Sequence, residues 1–103
     1  MTNKITAEVW LCPGMAGWHF VTIPPNVSAE IKARFAKQRV GWGSIPVTVT
    51  LSKTVWKTSI FPDKKSGGYL LPLKANIRKK EGIEAGKTIK FTLTVGTQNK
   101  PML

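Results

Sequence analysis

The chain has 103 residues, 42% of them hydrophobic, one cysteine and a formal net charge of +11. That is enough for one small core in one domain, and nine glycines and seven prolines favour many turns and short strands. A lone cysteine excludes an intrachain disulfide, no apolar run approaches the roughly 20 residues of a membrane helix, and the charge implies attraction to polyanions while saying nothing of the fold.

The opening residues, MTNKITAEVW, contain no apolar h-region and no small-residue cleavage site, so a cytoplasmic location is the expectation. Residues 4–11 alternate, with Ile5, Ala7, Val9 and Leu11 on one face and Lys4, Thr6, Glu8 and Trp10 on the other, which predicts a half-buried strand. Cys12-Pro13-Gly14 ends it in a turn. Residues 18–23 form a second strand, stopped by Pro24-Pro25 and expected to pair with the first as a hairpin. Over residues 27–38 the period changes, because Ile31 and Phe35 lie four apart among Ala29, Ala33 and Ala36. With Ser28 as N-cap, Glu30 in the first turn and Lys37 and Arg39 near the end, this predicts a short helix. It lays Ile31 and Phe35 on the core and turns Lys32, Arg34 and Lys37 to solvent. Gly41-Trp42-Gly43 is a turn presenting a ring. Val47, Val49 and Leu51 alternate with threonines in a third strand, and residues 53–61 make a fourth in which Val55, Lys57, Ser59 and Phe61 oppose Trp56, Thr58 and Ile60; either set could face inward, with Trp56 and Ile60 preferred as core.

The stretch from 56 to 86, WKTSIFPDKKSGGYLLPLKANIRKKEGIEAG, organises the rest. It reads as a strand ending at Phe61-Pro62, a charged turn, a strand over 69–73, a short basic helix around 75–80 and a Gly-Ile-x-x-Gly turn. The last strand, residues 88–95, puts Ile89, Phe91, Leu93 and Val95 inside. Gly86 is expected at positive φ. Residues 1–95 are thus one β-barrel domain and 96–103 a frayed tail. Both halves run strand, proline, helix, glycine turn, strand, with Phe20-Val21-Thr22-Ile23-Pro24 matching Tyr69-Leu70-Leu71-Pro72. Each is too small to bury its own apolar face, so the two should share one core containing Ile31, Phe35, Val49, Ile60, Leu71, Ile77, Ile89 and Phe91.

Arg78-x-x-x-Gly82-Ile83-x-x-Gly86, following a strand and Pro72, resembles the signature of the AbrB/MazE-like swapped-hairpin proteins, in which two chains interlock as a double-split β-barrel that often binds DNA. Over nearly the whole chain the sequence more closely resembles domain of unknown function 1905. The residues carrying that likeness are Trp56, Thr58-Ser59-Ile60-Phe61-Pro62, Gly67-Gly68-Tyr69-Leu70-Leu71-Pro72, Lys74, Ile77-Arg78-Lys79, Glu81-Gly82-Ile83 and Gly86. The resemblance implies a mostly β, single-domain double-split barrel with one or two short helices, in which one chain supplies both halves. It implies a monomer rather than an obligate dimer, and no established activity. Some relatives are fused to a bacteriocin-protection domain, which suggests an accessory module. In two respects the sequence departs from these patterns. Lys87 stands where they carry aspartate, and the spacing from Pro72 to Arg78 exceeds that of the AbrB-like proteins.

No catalytic or metal-binding set emerges. His19 lies mid-strand without an acidic neighbour, Cys12 has no nearby cation, and the five acids, Glu8, Glu30, Asp63, Glu81 and Glu84, are scattered. Gly67-Gly68 lacks the ending of a phosphate-binding loop. The expectation is therefore a non-enzymatic binding module without a cofactor or membrane attachment. Its candidate ligand-binding residues are Lys64, Lys65, Lys74, Arg78 and Lys79, with Trp42 and Tyr69 as stacking rings. Trp18 and Trp56 are assigned to packing, and Arg78 is given Glu81 as a structural partner. The expected partner is nucleic acid or another polyanion. The alternatives are a small ligand in a Trp-lined barrel pocket and a protein partner.

Overall fold

The computed structural model describes residues 1–14, 17–35 and 43–95. Period-2 alternation becomes six strands: β1 (Thr2–Leu11), β2 (His19–Thr22), β3 (Ile45–Leu51), β4 (Thr54–Asp63), β5 (Gly68–Pro72) and β6 (Thr88–Val95). Helices α1 (Pro25–Phe35) and α2 (Ala75–Glu81) follow β2 and β5. Every pairing is antiparallel, and the strands close into a barrel in the order β1-β2-β5-β4-β3-β6. The expected mostly β barrel with two short helices is what forms.

The expected two-fold relation is visible in that order. Exchanging β1 with β4, β2 with β5 and β3 with β6 leaves the ring unchanged. The axis passes through two self-equivalent rungs. One is Val21 opposite Leu71, between Phe20↔Pro72 and Thr22↔Leu70. The other is Thr50 opposite Thr92, reached when the relation is carried round the ring through the β1–β2, β4–β5, β1–β6 and β3–β4 registers. Through the first rung, residue 21 corresponds to 71, so Pro24 matches Lys74 and not Pro72. The proline-to-proline match read from the sequence is therefore out of register. Two backbone bonds agree with the corrected register: Ile23 N–H to the Tyr69 carbonyl at 3.0 Å, and Leu73 N–H to the His19 carbonyl at 2.9 Å.

Inward positions fill the barrel with branched aliphatics, among them Val9, Val21, Val47, Val49, Ile60, Leu71, Leu93 and Val95. Ile31 and Phe35 of α1 and Ile77 of α2 join the same cluster, as expected. Ile89 is only half-buried and packs at its rim. Leu11, assigned inward by alternation, is 50% exposed, because β1 reaches the end of its pairing with β2 there (Leu11↔His19).

Helix α1 starts earlier than the periodicity predicts. Pro25 takes the first helical position, where its missing N–H costs nothing, and the Ser28 N–H already bonds back to the Pro24 carbonyl at 2.9 Å. Ser28 is consequently inside the helix, buried, and is not its N-cap; its Oγ donates to the Ile23 carbonyl at 3.2 Å. Residues 36–38 of the expected helix, and the Trp42 ring, lie outside the described residues. At the other end, Gly82 caps α2 in the left-handed region (φ 65°, ψ 35°). Gly86 has φ 94°, as expected, and its N–H donates to the Val9 carbonyl at 2.7 Å, tying the turn to β1.

Candidate binding groove

The two halves carry equivalent helix–strand junctions, and one of them is open. Gly17 and Gly67 correspond through the Val21–Leu71 rung, and both have φ 76°. The carbonyl of each receives a cation from the neighbouring helix: Lys32 Nζ reaches Gly67 at 3.0 Å and Arg78 Nη2 reaches Gly17 at 3.5 Å. At the first junction α1 closes on β5. Gly68 leaves room for Ser28, whose Oγ accepts the Tyr69 N–H at 3.3 Å, and a Cβ on Gly68 would fall 2.7 Å from that oxygen. At the second junction, Trp18 replaces Gly68 and Arg78 replaces Ser28.

The corresponding space beside α2 is a cleft of about 240 Å³ lined by Trp18, His19, Pro72, Leu73, Lys74 and Arg78. It continues into a second of about 450 Å³, which shares Trp18, Pro72 and Lys74 and adds Lys57, Ser59 and Phe61. Among the described residues, no carboxylate lines either cleft.

Local packing fixes the groove's side chains. Phe20 points outward on β2 and is covered by two indoles, with ring centroids 5.3 Å from Trp10 and 5.7 Å from Trp18. Trp10 is pinned by its Nε1–H donating to Thr22 Oγ1 at 3.0 Å. Trp18 stacks on Phe20 at 28° yet stays 49% exposed, so it offers ring surface to solvent instead of being spent on packing as expected. Phe61 is 38% exposed. Arg78 Nε donates to the Leu73 carbonyl at 3.1 Å. Its expected partner Glu81 instead accepts a bond from Thr54 Oγ1. His19 Nδ1 lies 2.7 Å from the Gly17 carbonyl. A carbonyl can only accept, so Nδ1 carries the proton and Nε2 is not needed for this contact.

Of the residues expected in a site, Lys74 and Arg78 meet in this groove, and Lys79 sits exposed beside them on α2. Lys64 and Lys65 do not join them. They occupy the β4–β5 turn, where the Asp63 carboxylate accepts the N–H groups of Lys65 and Ser66. That turn is at the far end of β5, about 16 Å of strand away. Tyr69 is no stacking ring, being 1% exposed and part of the core. Trp42 lies outside the described residues. The clefts also include Trp18, His19, Lys57 and Phe61, which were not among the expected site residues; alternation along β4 groups Lys57, Ser59 and Phe61 on one face but does not say which face is outer.

Fold and groove together define a small closed β-barrel carrying an aromatic, cationic groove on its outer surface. The chain belongs to the family described as domain of unknown function (DUF1905), whose profile matches residues 6–93, from within β1 to within β6. No curated protein matches the sequence. No helix among the described residues is long and apolar enough to cross a membrane.

Proposed function

We propose that the protein is a non-enzymatic binding module that takes an anionic partner, such as nucleic acid, along the groove beside α2. The observation that carries this reading is the broken equivalence of the two junctions. Where one half closes helix on strand with Gly68 and Ser28, the other opens a groove walled by Trp18, Lys74 and Arg78 with no acid to offset the cations. The overall charge of +11 adds long-range attraction but no location.

Location is therefore what the experiment must test. Lys57→Glu with Lys74→Glu reverses two groove charges, and Lys64→Glu with Lys65→Glu reverses two charges on the distant turn. Both pairs change net charge equally. The groove pair should lower affinity for a labelled oligonucleotide by more than tenfold, and the turn pair only modestly. Three groove cations predict a log K against log salt slope of about −2 for a single strand. Equal losses from the two pairs would reduce the interaction to net charge and sink the groove reading.

A small planar ligand is the second reading, and the observation favouring it is the exposed indole of Trp18. It would have to bind outside the barrel, because Val21, Val49, Leu71 and Leu93 pack the interior.

A further inference from the structure

Resting on that reading, we infer that the groove is shaped for a single-stranded nucleic acid, with one base stacked on Trp18, a second against Phe61, and the intervening backbone met by Arg78, Lys74 and Lys57. Two features of the groove select this partner over other polyanions. The first is the presence of rings. A sulfated or phosphorylated polymer without aromatic groups would use the cations and gain nothing from an indole, whereas nucleobases stack on such surfaces in any sequence. Trp18 is presented for that purpose, since Phe20 supports it from behind while its own surface stays half exposed.

The second feature is spacing. Trp18 stands at the start of β2 and Phe61 on β4, with β5 between them. Two strand spacings separate these strands by about 10 Å, and because Thr22 and Phe61 both pair with Leu70, Phe61 also lies four residues, about 13 Å, further along the strand direction than Trp18. Neighbouring bases in a duplex are about 3.4 Å apart along the axis and bury their faces in one another. Rings set this far apart cannot take adjacent stacked bases, but they suit bases splayed from an extended strand. The cations accompany both rings: Trp18 shares the first cleft with Arg78 and Lys74, and Phe61 shares the second with Lys57 and Lys74.

The full chain would be titrated at about 0.15 M salt with labelled oligo-dT and oligo-rU of about 12 nucleotides. Competition by a duplex of the same length and by heparin completes the set. Both single strands should bind and should resist competition by duplex. Trp18→Ala should weaken single-strand affinity by about fivefold or more while leaving heparin affinity nearly unchanged; Trp18→Phe should retain most of the affinity. Phe61→Ser should act in the same sense. Thermal melts of each variant separate loss of a ring from loss of fold, and Trp18→Phe keeps the test decisive if Trp18→Ala folds poorly. If heparin and duplex bind through Lys57 and Lys74 but Trp18→Ala costs single strands nothing, the single-strand inference is overturned and the anionic-partner reading survives. If no polyanion binds at this salt, both fail.

Discussion

Ser28 and Arg78 hold equivalent places in the two halves of the barrel, and each side chain bonds the carbonyl five residues before it. Ser28 Oγ donates to Ile23 at 3.2 Å and Arg78 Nε to Leu73 at 3.1 Å. The hydroxyl is short and lets α1 settle against Gly68, whereas the guanidinium extends onward to Gly17. Together with the exchange of Gly68 for Trp18, this position separates the sealed junction from the open one.

Removing that strap should be measurable. Arg78→Ala deletes two side-chain hydrogen bonds, one of them long, and should lower stability by about 1–2 kcal/mol in urea unfolding. Arg78→Lys should restore little, because an ammonium lacks the planar fork that reaches two carbonyls. Full stability in Arg78→Ala would mean that the contact to Gly17 is incidental.

The closed junction makes the complementary prediction. Gly68→Ala places a methyl 2.7 Å from Ser28 Oγ and 3.1 Å from its Cβ. Such overpacking should cost about 1–3 kcal/mol. Adding Ser28→Gly removes both clashing atoms, so the double variant should be less destabilised than the sum of the singles. Additive losses would show that α1 and β5 do not meet there.

In the turn before β6, Gly86→Ala forces a Cβ onto a residue at φ 94°, although open space surrounds that position. The cost is then purely conformational, about 1–3 kcal/mol by thermal or urea denaturation. Lys87, which stands where related patterns carry aspartate, donates from Nζ to the Gly82 carbonyl at 3.2 Å at the C-terminal end of α2. Lys87→Asp places an anion near that end and should lower stability, but by no more than about 1 kcal/mol. A larger loss would mean that Lys87 has a further role in the turn.

Phe91 tests the core itself. It is 4% exposed on β6, opposite Ile5 of β1, and Phe91→Ala should cost about 3–5 kcal/mol. A loss near zero would remove β6 from the core.

Alternation is why so much of the barrel was legible. Val49, Phe91 and Leu93 each sit between polar neighbours in a strand buried on one face, and period 2 assigns them directly, whereas Ile60, between Ser59 and Phe61, is not settled that way. Helix α1 gave up its apolar anchors through a different period, Ile31 and Phe35 lying four apart. What could not be read depends on register between distant segments. Nothing local distinguishes Tyr69, which turns inward, from Trp18, which faces out. The difference is that Tyr69 follows Gly68 beneath a closed helix, while Trp18 occupies the place equivalent to Gly68. Likewise, the lysines at 64 and 65 are near Lys74 in sequence, but an extended strand separates them in space.

The ring of strands also limits how a partner can attach. β1 meets β6 along Thr2–Glu8 but β2 only along Val9–Leu11, and β4 meets β3 along Thr54–Ile60 but β5 only along Phe61–Asp63. Among the described residues, 2–8 and 54–60 are therefore one-sided stretches along which an extended peptide could add a strand. Away from such stretches, recognition by this barrel is left to side chains and helix ends, and a substitution that alters partner choice is to be sought on its outer surface.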